Sequence, residues 1–166
     1  MIKPGEQGVP HTDSPLQFDV SCEINAPPET VFDFLVDFEQ LPSWMPLMKR
    51  VTVDNTNAVV PRQVGAVRVI DSGVGKPTLE TVRAWQRPSL LSYSANDASF
   101  RGMFHSHLGV LTCEPRDTER TLFRWQTYAK PGTPPMSWIG RILLGWIFRR
   151  SMRRMQLLLG AKRALR

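Results

Sequence analysis

His105 and His107 are separated by a single residue, a spacing that puts both imidazoles on one face of an extended strand. Such a pair can hydrogen-bond a ligand carbonyl, act as acid and base, or begin a metal site. A metal needs a third ligand. No second His-x-His pair or acidic cluster accompanies these two, and the remaining histidine, His11, lies near the N-terminus. No metal is therefore expected, and two hydrogen-bonded histidines without chemistry are the competing reading. Tyr93 alternates with Leu91 and Ala95 and either offers a phenol to a ligand oxygen or packs as core. Phe123 and Trp125 share a strand face with Thr127, as pocket wall or as plain packing. Glu80 shares parity with Val82 and Ala84, which makes it either an inward-facing acid or a solvated carboxylate near a strand end. Arg101, beside Gly102, is either a partner for a ligand carboxylate or phosphate or a surface charge.

These residues sit in a chain whose periodicity is easy to follow. Residues 16–26 alternate strictly between apolar and polar side chains, as a strand with one wet face does. The strand stops at Pro27-Pro28. Val31, Phe34, Leu35 and Phe38 then fall at helical spacing, and Pro42 and Pro46 bracket Trp44 to close a region of two short helices. Six further β-like runs follow, at 50–53, 66–70, 79–85, 90–95, 103–113 and 121–129, separated by turn residues. No helical period lies between them, so the sheet is expected to be antiparallel. After a Pro-rich loop at 130–135, residues 137–166 form one long helical candidate.

The chain has 166 residues, 42% apolar and 22% charged, which suits one globular domain and excludes a disordered or fibrous class. Residues 1–15 read as a flexible leader before a single domain at 16–166. Cys22 and Cys113 lack any metal or disulfide spacing and are expected as reduced, buried thiols. Arg141 interrupts the most apolar stretch, 136–148, so no transmembrane helix is expected. The protein is expected to be cytoplasmic, with a possible position at the inner membrane face left open by its basic terminus. Phosphate-binding glycine loops, nucleophile elbows and zinc-helix motifs are missing, and no cofactor is expected.

The net charge of +6 is unevenly spread. Residues 136–166 hold eight basic side chains and no acid, a local +8, whereas 1–135 hold 13 basic and 15 acidic residues. A general nucleic-acid surface is therefore not expected. Leu144, Phe148, Met152, Met155 and Leu159 make one apolar helix face, opposite Arg149, Arg150 and Arg153. Trp138, Ile139, Ile142, Leu143, Trp146 and Ile147 make a second, displaced surface. Either the helix breaks near Gly140 or Gly145, or the second surface is exposed for an anionic membrane or a protein partner. A solvated basic face on an ordinary core helix is the plainer alternative.

The stretch INAPPETVFDFLVDFEQLPSWMP, at 24–46, resembles the opening motif of the START-like, polyketide cyclase/dehydrase superfamily (SRPBCC), which includes the birch-pollen allergen and lipid-transfer START domains. GAVRV from Gly65, ETVRAWQRPSLLSYS at 80–94 and LTCEPRDTERTLFRWQTYAKPG at 111–132 agree with it. The resemblance implies an α+β helix-grip fold, in which a curved seven-stranded antiparallel sheet surrounds a long C-terminal helix, with two short helices after the first strand. It also implies a hydrophobic cavity lined by Tyr93, Met103, His105, His107, Leu111, Phe123, Trp125, Met152 and Met155. The leading functional expectation is a carrier or sensor of a hydrophobic or amphipathic small molecule, such as a lipid, isoprenoid or polyketide. A polyketide cyclase or aromatase moving protons through Tyr93, His105 or His107 is the alternative. An adaptor docking on a membrane or protein through 138–166 is the third.

Overall fold

The computed structural model describes residues 3–100 and 102–164, without the side chains of 161–164. The elements are β1 (Leu16–Ile24), α1 (Pro28–Val36), a 3₁₀ turn (Phe38–Gln40), α2 (Leu41–Trp44), β2 (Arg50–Asp54), β3 (Val67–Asp71) and β4 (Thr78–Gln86). They continue with β5 (Leu90–Ala95), a second 3₁₀ turn (Asp97–Phe100), β6 (Phe104–Pro115), β7 (Thr121–Pro131) and α3 (Pro134–Ala164). The seven strands make one antiparallel sheet in the order β1-β7-β6-β5-β4-β3-β2, a meander from β2 to β7 with β1 added beside β7. This is the expected α+β architecture of a sheet gripping a terminal helix.

α1 starts where Pro28 occupies the first turn, where its missing N–H is no loss, and it buries Val31, Phe32, Phe34 and Leu35 against the sheet. α3 runs unbroken for 31 residues, about 46 Å at 1.5 Å per residue. The break near Gly140 or Gly145, one of the two alternatives the sequence offers, does not occur. A Cβ at Gly140 would stand 2.6 Å from the Phe104 ring, so glycine here lets the helix lie close on β6 rather than end. Phe148 anchors α3 inside, its ring centroid 5.2 Å from Phe18 and 4.6 Å from Trp125, while Met152, Met155 and Leu159 continue the buried face.

The sheet has two apolar faces, and residues before β1 lie against the outer one. Ala84, Leu90, Leu108 and Val110 form a second cluster on the face away from α3, and Val9 of the leader closes it. The leader is fastened there by the Ser14 hydroxyl donating to the Ser106 carbonyl at 3.0 Å and by the Ala129 N–H donating to the Pro15 carbonyl at 3.1 Å. Its described residues form a cover for the sheet, because apolar strand residues on both faces need one.

β6 is interrupted early. Ser106 has φ +52°, and the β6–β7 register shifts between His105 and Leu108. This bulge inserts an extra residue between the two histidines.

Candidate functional site

A cavity of about 380 Å³ lies between the sheet and α3. The segment after α2 supplies Met45 to its wall along with Leu47 and Met48; β3 supplies Ile70, and the β3–β4 connection Val74 and Lys76. The second 3₁₀ turn and the start of β6 add Phe100 and Met103, and α3 adds Leu143, Leu144, Ile147 and Phe148. Glu80, Tyr93, His107 and Trp125 belong to its polar or amphipathic lining, together with Ser72, Lys76, Thr78 and Ser99. A smaller void of about 20 Å³ shares Met45, Met48, Glu80, Tyr93 and Trp125 with the cavity and is bounded further by Trp44, Arg68 and Leu111.

Arg68 and Glu80 are the charged centre of this wall. They stand opposite one another in the β3–β4 register and join through Nη2 and Oε2 at 2.6 Å, with side chains only 6% and 12% exposed. The guanidinium also lies 4.3 Å from the Tyr93 ring centroid and 5.0 Å from that of Phe38. Burial pushes the Glu80 carboxyl above its ordinary value, and Arg68 opposes that shift. Glu80 is thus no solvated strand-end carboxylate.

Tyr93 is buried, and burial raises its phenol pKa, with Glu80 adding to the shift and Arg68 opposing it. The phenol stays protonated at neutral pH. Its ring crosses β6 at Gly109, its partner in register, where an added Cβ would come within 2.5 Å of Cε1 and Cζ. The Trp125 indole lies close to this phenol without reaching hydrogen-bond geometry.

His107 occupies the gap where β5 and β6 stop pairing beyond Tyr93 and Gly109. Its Nδ1 accepts the Ala95 backbone N–H at 3.3 Å, so the neutral ring carries its proton on Nε2 and is a donor rather than a base. Burial, helped by the Arg68 charge, lowers its pKa from 6.5 to about 4. The ring packs against Phe100 and Tyr93 at centroid distances of 5.0 and 5.4 Å.

The other sequence-derived candidates divide. Met103 lines the large cavity and Leu111 the small void, while Trp125 lines both. His105 does not share the inner face with His107. The Ser106 bulge turns it outward, where its side chain is 47% exposed and 3.8 Å from Asp97. Phe123, Met152 and Met155 are buried core outside the cavity wall: Phe123 is flanked in register by Cys22 and Cys113, and Met152 meets the Cys22 thiol at 3.4 Å. Burial raises those two thiols to about 11 and about 12, so both stay protonated. Arg101 lies outside the described residues. Among the described residues no group of three His, Cys, Asp or Glu side chains is placed to hold a metal.

Arg68 was not singled out from the sequence, although a signal was present: it shares parity with Ala66 and Ile70, so the apolar face of β3 carries a charge that needs a partner. At neutral pH the site therefore presents a compensated ion pair, a protonated phenol, a neutral imidazole and indole rings. That set can hold and orient the polar end of an apolar molecule.

The family described as polyketide cyclase/dehydrase and lipid transport matches residues 15–160. No curated protein matches this sequence. Solved structures with the same fold include a Thermobifida fusca protein determined by solution NMR, at 21% identity and TM-score 0.71, covering 87% of this chain and 93% of that one. A START superfamily protein from Mycobacterium smegmatis is 16% identical with TM-score 0.66, covering 87% of this chain and 97% of its own. A Thalictrum flavum norcoclaurine synthase variant in complex with a transition-state analogue is 10% identical with TM-score 0.67, covering 92% and 99%. At such identities these structures establish the fold alone, but the family match spans nearly the whole sequence, and the chain belongs to the polyketide cyclase/dehydrase and lipid transport family of the START-like superfamily.

Proposed function

We propose that the protein binds a hydrophobic or amphipathic small molecule, of the lipid, isoprenoid or polyketide kind, as a carrier or sensor. The observation that carries this reading is the cavity of about 380 Å³, walled mainly by Met, Leu, Ile and aromatic side chains with a few convergent polar groups at Glu80, Tyr93 and His107. His105 is exposed and His107 offers a donor rather than a base, so binding accounts for the polar lining more directly than proton shuttling does. The test is native mass spectrometry of gently purified protein, together with uptake of an apolar fluorophore. The wild type is expected to retain or take up one molecule, and Ile147→Trp, which fills the cavity from α3, to exclude it. Equal uptake by a folded Ile147→Trp variant contradicts the reading.

A second reading concerns the opposite face of α3, where Trp138, Ile139, Ile142 and Trp146 are exposed, followed by exposed Arg149, Arg150 and Arg153. No described helix is long and apolar enough to cross a membrane. An aromatic patch continued by cations matches the interfacial region of an anionic bilayer, each well-placed basic residue adding about 1 kcal/mol. We infer docking on anionic lipid, with the protein working in the cytoplasm at the inner membrane face.

A further inference from the structure

Three residues that line the small void each carry a buried nitrogen donor with no hydrogen-bond partner: Trp44 Nε1, Trp125 Nε1 and Arg68 Nε, the last two residues lying beside the Tyr93 phenol without closing a hydrogen bond through these atoms. All three residues line the same space of about 20 Å³, and they are 2%, 4% and 5% exposed. The two indole rings meet there edge to face, with centroids 6.5 Å apart. A buried N–H without an acceptor is destabilising, so three on residues that share one void make a costly arrangement unless something accepts from them. The void adjoins the large cavity through Glu80, Tyr93 and Trp125.

We propose that this void is an oxygen-binding subsite, which takes the carbonyl oxygen of a neutral ketone-bearing apolar ligand. The inference rests on the ligand-binding reading above and specifies the ligand's polar end. The donors are all N–H groups, so the incoming atom must be an acceptor, and a carbonyl oxygen has two lone pairs and no hydrogen of its own. Charge selects the neutral group. The positive charge of Arg68 is already matched by Glu80 at 2.6 Å, so an incoming carboxylate would leave a net negative charge in an apolar wall. A ketone leaves the pair balanced. Its apolar body lies in the large cavity against Phe148 and Ile147, and only the oxygen enters the void.

The experiment compares three bicyclic aromatic probes on the full-length protein: 2-acetylnaphthalene, 2-ethylnaphthalene and 2-naphthoate. The ketone is expected to bind about threefold to thirtyfold more tightly than the hydrocarbon, as one to two net hydrogen bonds allow, and more tightly than the carboxylate. Trp44→Phe and Trp125→Phe keep a ring and remove an N–H, and each is expected to narrow the preference for the ketone over the hydrocarbon. In the wild type, nitrogen-proton correlation spectra are expected to show two of the five Trp indole resonances moving downfield with the ketone and not with the hydrocarbon. That measurement does not depend on the variants folding. Equal affinity for ketone and hydrocarbon with unmoved indole resonances overturns the subsite while leaving the binding cavity standing. Tighter binding of the carboxylate overturns the choice of a neutral oxygen. Binding of none of the probes overturns both the subsite and the cavity reading.

Discussion

Arg68 on β3 and Glu80 on β4 face one another in register and close a 2.6 Å ion pair inside an otherwise apolar wall. Removing both ions from water is expensive, and their mutual attraction offsets that cost only while both are present. Arg68→Met or Glu80→Leu alone is expected to lower unfolding stability by about 3–5 kcal/mol, because each leaves one buried ion unmatched. The double variant Arg68→Met/Glu80→Leu is expected to recover most of that loss. Urea unfolding of the four proteins at neutral pH gives the coupling, and a double variant whose loss equals the sum of the singles would contradict it.

His107 makes stability depend on pH with a definite sign. Its folded value is about 4 against 6.5 for the free group, so on acidification the unfolded chain takes up a proton first. The stability it confers is complete above pH 6.5 and is lost as pH falls from 6.5 to about 4, over a full span of about 3 kcal/mol. His107→Asn keeps an acceptor for the Ala95 N–H but does not titrate. Denaturant unfolding at intervals from about pH 7.5 to 4.5 is expected to show the wild type losing more stability than the variant across that window. Parallel curves would refute the assignment.

Gly109 is the floor under the Tyr93 phenol. Gly109→Ala is expected to displace the ring and to cost about 1–3 kcal/mol of overpacking, read by thermal unfolding. In a Tyr93→Leu background the same change is expected to cost much less, since the side chain it collides with is gone. An undiminished cost there would locate the clash elsewhere.

The outer face of α3 is expected to bind lipid bilayers in a charge-dependent way. In vesicle flotation the wild type should float with phosphatidylglycerol-containing vesicles and not with pure phosphatidylcholine, with binding weakened by salt. Trp138→Ser/Trp146→Ser and Arg149→Glu/Arg153→Glu should each abolish it. Trp138, Trp146 and the two arginines lie outside the cavity wall, so apolar fluorophore uptake should be unchanged. Equal flotation with both vesicle types, or burial of the tryptophans in a dimer on sedimentation, would exclude the lipid surface.

The fold was largely legible because its signals are local. Period-two runs and turn residues give all seven strands to within a few residues, and Pro28 with the 31/34/35/38 spacing gives α1. The departures come from tertiary relations. Gly140 reads as a helix break until its 2.6 Å approach to Phe104 is known, and Val9 reads as leader until the outer cluster that it covers is assembled. Within the site, Tyr93, Met103, His107, Leu111 and Trp125 follow from parity plus family register. Arg68 was visible in the same parity, as a charge among apolar neighbours. His105 was misplaced because a bulge at a serine has no glycine or asparagine to announce it.

That bulge makes β6 a strand of two phases. Downstream of Ser106 the odd positions, His107, Gly109 and Leu111, face α3 and the interior; upstream it is the even position, Phe104, that packs under Gly140. Deleting Ser106 would bring the two halves into step with Phe104 still inside and His105 still outside; a regular strand that kept every residue would instead exchange Phe104 for His105 on the inner side. Straightening the bulge, with no residue lost, would thus replace an aromatic contact beneath the roof helix with a titratable group. The bulge at this one position therefore decides whether one imidazole or two faces the interior of the same sheet.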